Sequence, residues 1–188
     1  QMCLAVFAHE KVSRQAARAR AADLLTRVGI PDARRRLDAY PHQFSGGMRQ
    51  RVAIATALLH GPQVIVADEP TTALDVSIQA QILAEMKNLA RESGTALIWI
   101  SHDLATVSSL ADRILVMYAG RIVESGPTAA VLRGPRHPYT RGLIDSLPAS
   151  AEPGAPLRQI PGTTPSLLSL PPGCPFAPRC PRAAELCR

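Results

Sequence analysis

An α/β fold, with helices flanking a mostly parallel sheet, is what this chain of 188 residues predicts. Three observations carry that expectation. Two short apolar runs rich in β-branched residues, VIVA (residues 64–67) and TALIWI (residues 95–100), have strand length rather than helix length. Longer stretches with apolar residues every three or four positions alternate with them, the rhythm of strand–helix–strand units. Hydrophobic residues make up 46% of the chain, enough for a sizeable core.

Each element has its own signals. Residues 13–28 are rich in Ala, Arg and Leu and contain no Gly or Pro. Ser13 can cap their start and Gly29 can stop them, so a helix is expected there. Residues 31–44 read as a polar connector. A second helix is expected after Ser45, because Met48, Val52, Ala55 and Leu59 share one helical face, and Gly61-Pro62 ends it. VIVA then reads as a strand buried on both faces, as in a parallel sheet. Residues 78–90 form a third expected helix with Ile78, Ile82, Met86 and Leu89 on one side and Gly94 as its stop. TALIWI is a second buried strand, and a short helix over residues 104–111 leads to a third, ILVMY. Ala119-Gly120-Arg121 turns that strand into IVES. Ten of the 17 prolines fall between Pro148 and Pro181, so residues 148–188 are expected to be an extended tail rather than a second packed core.

Charge and composition narrow the function classes. The net charge is +6 and the pI about 9.7, carried mostly by arginine. The arginines are dispersed and aromatic residues are only 4%, which argues against nucleic acid as a partner. No apolar run approaches the roughly 18 residues of a membrane span and no signal-peptide pattern opens the chain, so a soluble or peripheral protein is expected. Four unevenly spaced cysteines make no disulfide framework and fit a cytosolic setting. The chain starts at Gln1 and stops after Cys187-Arg188, and both ends read as edges of a longer protein.

The chemistry concentrates in four short stretches. FSGGMRQR (residues 44–51) places Ser45, Gly46 and Gly47 at a helix start, where free backbone N–H groups and the helix dipole favour an anion. No phosphate-binding lysine accompanies it: the only lysines, Lys11 and Lys87, cannot end a G-x-x-x-x-G-K-S/T loop. Asp68 and Glu69 end the VIVA strand, the side of a parallel sheet where α/β proteins place ligands. One acid there can hold Mg²⁺ and the other can orient or deprotonate a water, although an isolated acidic pair is more often a helix cap or a solvated turn. TTALD (residues 71–75) follows directly, and the next strand ends in Ser101, His102 and Asp103. A single histidine after a strand is usually a turn residue, but here two strand ends coincide at one edge. Each stretch alone is weak, whereas all four in this order are specific.

In that order the sequence resembles the ATP-binding subunits of ABC transporters. SGGMRQR is similar to the signature motif, VIVADEP to Walker B, ALD to the D-loop, and His102 to the switch histidine. The resemblance implies a P-loop NTPase-like ABC ATPase domain over residues 1–147, with a helical signature region up to about residue 60 and the Walker B and switch region beyond it. It implies ATP as substrate, Asp68 as the Mg²⁺ carboxylate, Glu69 as the catalytic base, and His102 on the γ-phosphate. Ser45, Gly46, Gly47, Gln50 and Asp75 would face the ATP of an opposing subunit, identical or paralogous. The family's Walker A lysine loop, Q-loop glutamine and adenine-stacking aromatic have no counterpart here, so the N-terminal part is expected to be missing and the chain alone is not expected to bind or hydrolyse ATP in the usual way.

More narrowly, YPHQFSGGMRQRV, ADEPTTALDV, VMYAGRIVE, HPYT and the tail GCPFAPRCPRAAELC resemble the oligopeptide/dipeptide importer branch, with nickel importers as close relatives. That implies transmembrane permease partners, indirectly an extracytoplasmic peptide-binding protein, and a peripheral place on the cytoplasmic face of the inner membrane. Some members of the branch carry a 4Fe-4S iron–sulfur cluster in this tail; Cys174, Cys180 and Cys187 would then be three ligands and a fourth cysteine would lie beyond Arg188. The alternative is three reduced thiols in a proline-rich loop. A different class, a soluble ABC-type ATPase acting on nucleic acid or ribosomes, draws on the basic pI alone, and an inert truncated frame is a third option.

Overall fold

The computed structural model describes residues 1–72, 74–150 and 154–187. It divides the chain into two compact units, Gln1–Thr106 and Val107–Arg188, each with a core of its own.

The first unit opens with α1 (Met2–His9), a helix apolar on all sides and therefore without the periodicity that announces one. In α2 (Arg14–Arg27), Ser13 caps as expected, its Oγ accepting from Ala16 N at 3.2 Å. Gly29 takes φ +74° just past the helix and lets the chain turn back, with Ile30 N donating to Leu25 O at 2.9 Å. The expected plain connector contains α3 (Ala33–Arg36) and a 3₁₀ turn at Pro41–Gln43. Next come α4 (Gly46–Leu58), β1 (Val64–Asp68), α5 (Val76–Ser93) and β2 (Ala96–Ile100), and Gly94 stops α5 at φ +66°. The strands pair in parallel, Val64 opposite Ala96 and Asp68 opposite Ile100. After β2 the chain enters α6 (Leu104–Leu110).

Alanines at 17, 21 and 55 are fully buried and let α2 and α4 approach closely. Ile82, Met86 and Leu89 of α5 close this core; burying Ile82 completely contributes roughly 1.5–3 kcal/mol. One expectation is corrected: β1 and β2 are not buried on both faces. Ile65, Leu97 and Trp99 pack on the core, while Val64, Val66, Ile98 and Ile100 are 50, 62, 50 and 47% exposed. Side chains alternate along a strand, and among the described residues only one face of this pair has a cover.

The second unit is built on an antiparallel hairpin, β3 (Arg113–Tyr118) and β4 (Arg121–Pro127). Its two-residue turn, Ala119-Gly120, has φ +47° and +76°, the twist that matches paired strands. The sheet content is thus one parallel and one antiparallel pair among the described residues, not a mostly parallel sheet. Ile114 and Val116 turn inward onto α7 (Thr128–Arg133) and α8 (Pro138–Asp145), against Val131, Tyr139 and Leu143. The proline-rich tail is not only extended. Phe176 is 1% exposed, with its ring 5.2 Å from that of Tyr118 and 5.4 Å from that of Tyr139. One large aromatic anchors a segment that proline content alone marks as irregular.

Candidate functional site

The parallel register sets up the site. Because Asp68 lies opposite Ile100, both strands deliver their next residues to one edge. Glu69 N donates to Ile100 O at 3.0 Å, extending the ladder by one bond. The Glu69 backbone then turns into the left-handed region, φ +46°, which is costly for a residue with a Cβ and is common where function holds a side chain in place. His102 Nδ1 lies 2.8 Å from Glu69 Oε1, and Thr72 Oγ1 donates to Glu69 Oε2 at 2.7 Å. Both carboxylate oxygens are therefore oriented. The hydrogen bond from His102 and then that from Thr72 hold the Glu69 carboxyl below its ordinary pKa, and the Glu69 carboxylate raises the imidazole of His102. Neither side chain is enclosed: Glu69 is 38% and His102 78% exposed.

The residues flanking His102 are structural. Ser101 Oγ accepts from Asp103 N at 3.1 Å, and Asp103 accepts from Ala105 N and from Thr106 Oγ1 at 2.9 and 2.6 Å, starting α6. Thr106 Oγ1 in turn accepts from Gln79 Nε2 at 2.8 Å, tying this turn to α5. Asp68 stands exposed at the strand end, and a cleft of about 270 Å³ beside it is lined by Glu69, Gln50, Met86 and Trp99. Gln50 thus shares a cleft with this chain's own acids.

At the start of α4, Ser45 caps with its Oγ accepting from Met48 N at 3.3 Å, which leaves its hydroxyl proton to donate. Ser45 and Gly46 are exposed. The glycines have a second reason to lack a Cβ. A Cβ on Gly47 would come within 2.7 Å of Ile78 Cγ2, and one on Gly46 would touch Leu74 at 3.5 Å. Asp75 is exposed at the start of α5, and its carboxylate makes no capping bond. Ala73 of the TTALD stretch lies outside the described residues.

Sequence reasoning missed two supports. Thr72 is one; its spacing of three from Glu69 was a readable cue. The other is Arg51, which is 9% exposed in its side chain, donates to Val28 O at 2.6 Å and pairs with Glu85 at 2.6 Å. It fastens α4 to both α2 and α5, and no local pattern reveals a partner 34 residues away.

The tail brings two of its cysteines together through the backbone. Cys174 N donates to Cys187 O at 2.9 Å, and Cys180 Sγ accepts from Arg182 N at 3.4 Å. Among the described residues no group of three His, Cys, Asp or Glu side chains is placed to hold a metal ion, so the structure lends the cluster expectation no support. No described helix is long and apolar enough to cross a membrane.

Residues 2–72 match the family described as "ABC transporter", and residues 123–187 match "Oligopeptide/dipeptide transporter, C-terminal region". The dipeptide transport ATP-binding protein DppD of Bacillus subtilis is 51% identical over 187 residues, covering 100% of this chain and 56% of its own length. The oligopeptide transport ATP-binding protein OppD of Salmonella typhimurium is 49% identical over 187 residues, again covering 100% and 56%. The chain therefore spans about half the length of the curated relatives it matches. Among solved structures, the dimeric post-hydrolysis state of the ATP-binding cassette MJ0796 bound to ADP and Pi superposes with a TM-score of 0.58 at 31% identity, covering 68% of this chain and 54% of that one. With family matches at both ends and identity of about half along its whole length, the chain belongs to the ABC transporter ATP-binding proteins, in the oligopeptide/dipeptide branch.

Proposed function

We propose that the protein is the ATP-hydrolysing subunit of an ABC importer for di- or oligopeptides. The observation that carries this is the contact at the strand edge, where Glu69 is gripped by His102 and Thr72 while its carboxylate stays accessible. The match of residues 123–187 to the peptide-transporter region favours peptide over nickel as cargo.

The residues present fit the divalent cation that ATP chemistry requires: Asp68 offers an exposed carboxylate next to a cleft, hard oxygen chemistry suited to Mg²⁺. When bound, the cation neutralises phosphate charge. Glu69 orients a water and takes its proton on the carboxylate that His102 and Thr72 keep ionised and aligned. His102 spends Nδ1 on Glu69 and keeps Nε2 for a phosphate oxygen, and its raised pKa favours an N–H there. Ser45, Gly46 and Gly47 present a hydroxyl and backbone N–H groups to the nucleotide of a second ATPase subunit, identical or paralogous, with Asp75 at the same junction. Permease subunits transmit the cycle, an extracytoplasmic binding protein delivers the peptide, and the subunit works at the cytoplasmic face of the membrane.

Glu69→Gln in the transporter-assembled protein tests the reading. ATP binding is retained and turnover falls by about a hundredfold or more; turnover near that of the unsubstituted protein removes Glu69 as the base.

A further inference from the structure

The second unit holds a larger cleft, about 450 Å³, between α8 and the tail. Arg136, Arg141, Arg158, Arg179 and Arg182 line it, with Asp145 as the one carboxylate among the described residues of its walls. Ile160, Pro138, Pro161 and Pro181 supply apolar surface. The site is built closely: a Cβ on Gly142 of α8 would come within 2.8 Å of Ile160.

The arginines divide into two kinds. Arg179 is a strut. It donates to Pro161 O at 2.7 Å, Ile160 O at 3.1 Å, the Tyr118 hydroxyl at 3.2 Å and Thr164 Oγ1 at 3.3 Å, and it lies 5.9 Å over the ring of Phe176. Its donors are used in holding the tail. The others are not. Arg141 makes one long bond to Pro135 O at 3.4 Å. Among the described residues no ion pair involves Arg136, Arg158 or Arg182, and none joins Asp145 to an arginine. Several guanidinium groups with little neutralisation thus converge on one concave, partly apolar surface, and their mutual repulsion is relieved by an anion.

We infer that this cleft binds a small organic phosphate, a phosphate or pyrophosphate group attached to an apolar or planar body. Arginine rather than lysine lines the whole site, and its planar fork matches phosphate oxygens two at a time. The volume falls in the range of small-ligand pockets, roughly 300–1,000 Å³. Ile160, with Pro138, Pro161 and Pro181 beside it, provides apolar surface for the organic part. All lining residues belong to the second unit, whereas Ser45, Asp68, Glu69 and His102 belong to the first. The phosphate ester can be free in solution or carried on a phospholipid headgroup.

Isothermal titration with inorganic pyrophosphate, and co-sedimentation with phosphatidylglycerol against phosphatidylcholine vesicles, test the site on this chain. The variant is Arg158→Glu with Arg182→Glu, both exposed positions, with an unchanged circular dichroism spectrum as the folding control. Pyrophosphate binding with one site identifies a free phosphate ester; binding to phosphatidylglycerol vesicles alone identifies the headgroup. In either case affinity falls by about tenfold or more in the variant. An equal charge reversal at Arg34 and Arg35, outside the cleft, leaves it intact. Binding of neither probe, binding unchanged in the cleft variant, or equal loss in the Arg34/Arg35 control overturns the assignment.

Discussion

Arg51–Glu85 and His102–Glu69 are both close pairs of a cation-forming group and a carboxylate, at 2.6 and 2.8 Å, yet they do opposite jobs. The first is sheltered, its arginine side chain 9% exposed, and it also satisfies the Val28 carbonyl. The second is open, its histidine 78% exposed, and it spends one ring nitrogen while keeping the other. Burial makes a pair rigid and expensive to break, and exposure makes one weak but chemically available. The first holds α4 in place against α2 and α5, and the second keeps an oriented carboxylate accessible at the strand edge.

The comparison is broken hardest at Arg51. Arg51→Ala strands the Glu85 carboxylate and the Val28 carbonyl, and it lowers stability by about 3 kcal/mol in urea unfolding. A midpoint like that of the parent chain means the pair is dispensable. Gly29 belongs to the same device: it sits at positive φ, and a Cβ there would run into the Arg51 guanidinium.

Gly47→Ala comes next. Its new methyl meets Ile78 at 2.7 Å, so a loss of about 1–3 kcal/mol is expected, and Ile78→Ala in the same chain recovers part of it. Strictly additive losses contradict the packing role.

The open pair is sharpened by titration rather than unfolding. An imidazole NMR titration places His102 above the ordinary histidine pKa, and Glu69→Gln returns it. Because Glu69 is lowered and His102 raised, the charged pair exists between those two pKa values. It is lost below the lowered carboxyl pKa, as Glu69 protonates, and above the raised imidazole pKa, as His102 deprotonates. An unshifted His102 in the parent protein rules the contact out in solution. The smallest effect is expected where Arg18 of α2 meets Asp38, just past α3, at 2.8 Å on the surface. Asp38→Ala leaves the unfolding midpoint within experimental error.

Much of this was legible because it is local. Ser13, Ser45 and Gly94 mark helix ends through bonds or dihedral angles within a few residues of themselves. Ala119-Gly120 marks a hairpin turn the same way. The edge carrying Glu69 and His102 followed from two strand ends in a parallel arrangement. What was hidden lacked local contrast. In VIVA and ALIWI every residue is apolar, so nothing in the string distinguishes the covered face from the open one. The first helix is apolar all round and shows no stripe. Phe176 sits among prolines, and its partners Tyr118 and Tyr139 are far away in sequence.

By itself, then, the amino-acid order determined the residue types at the Ser45-Gly46-Gly47 helix start, the acidic strand end and the neighbouring strand end with His102, since capping, periodicity and strand ends are properties of near neighbours. Tertiary structure decided the rest. It set which arginine is a bolt and which is free, why Gly47 must be glycine, and how Thr72 and His102 share one carboxylate. Those outcomes depend on groups that meet only after the chain has folded, when distance in space no longer follows distance along the sequence.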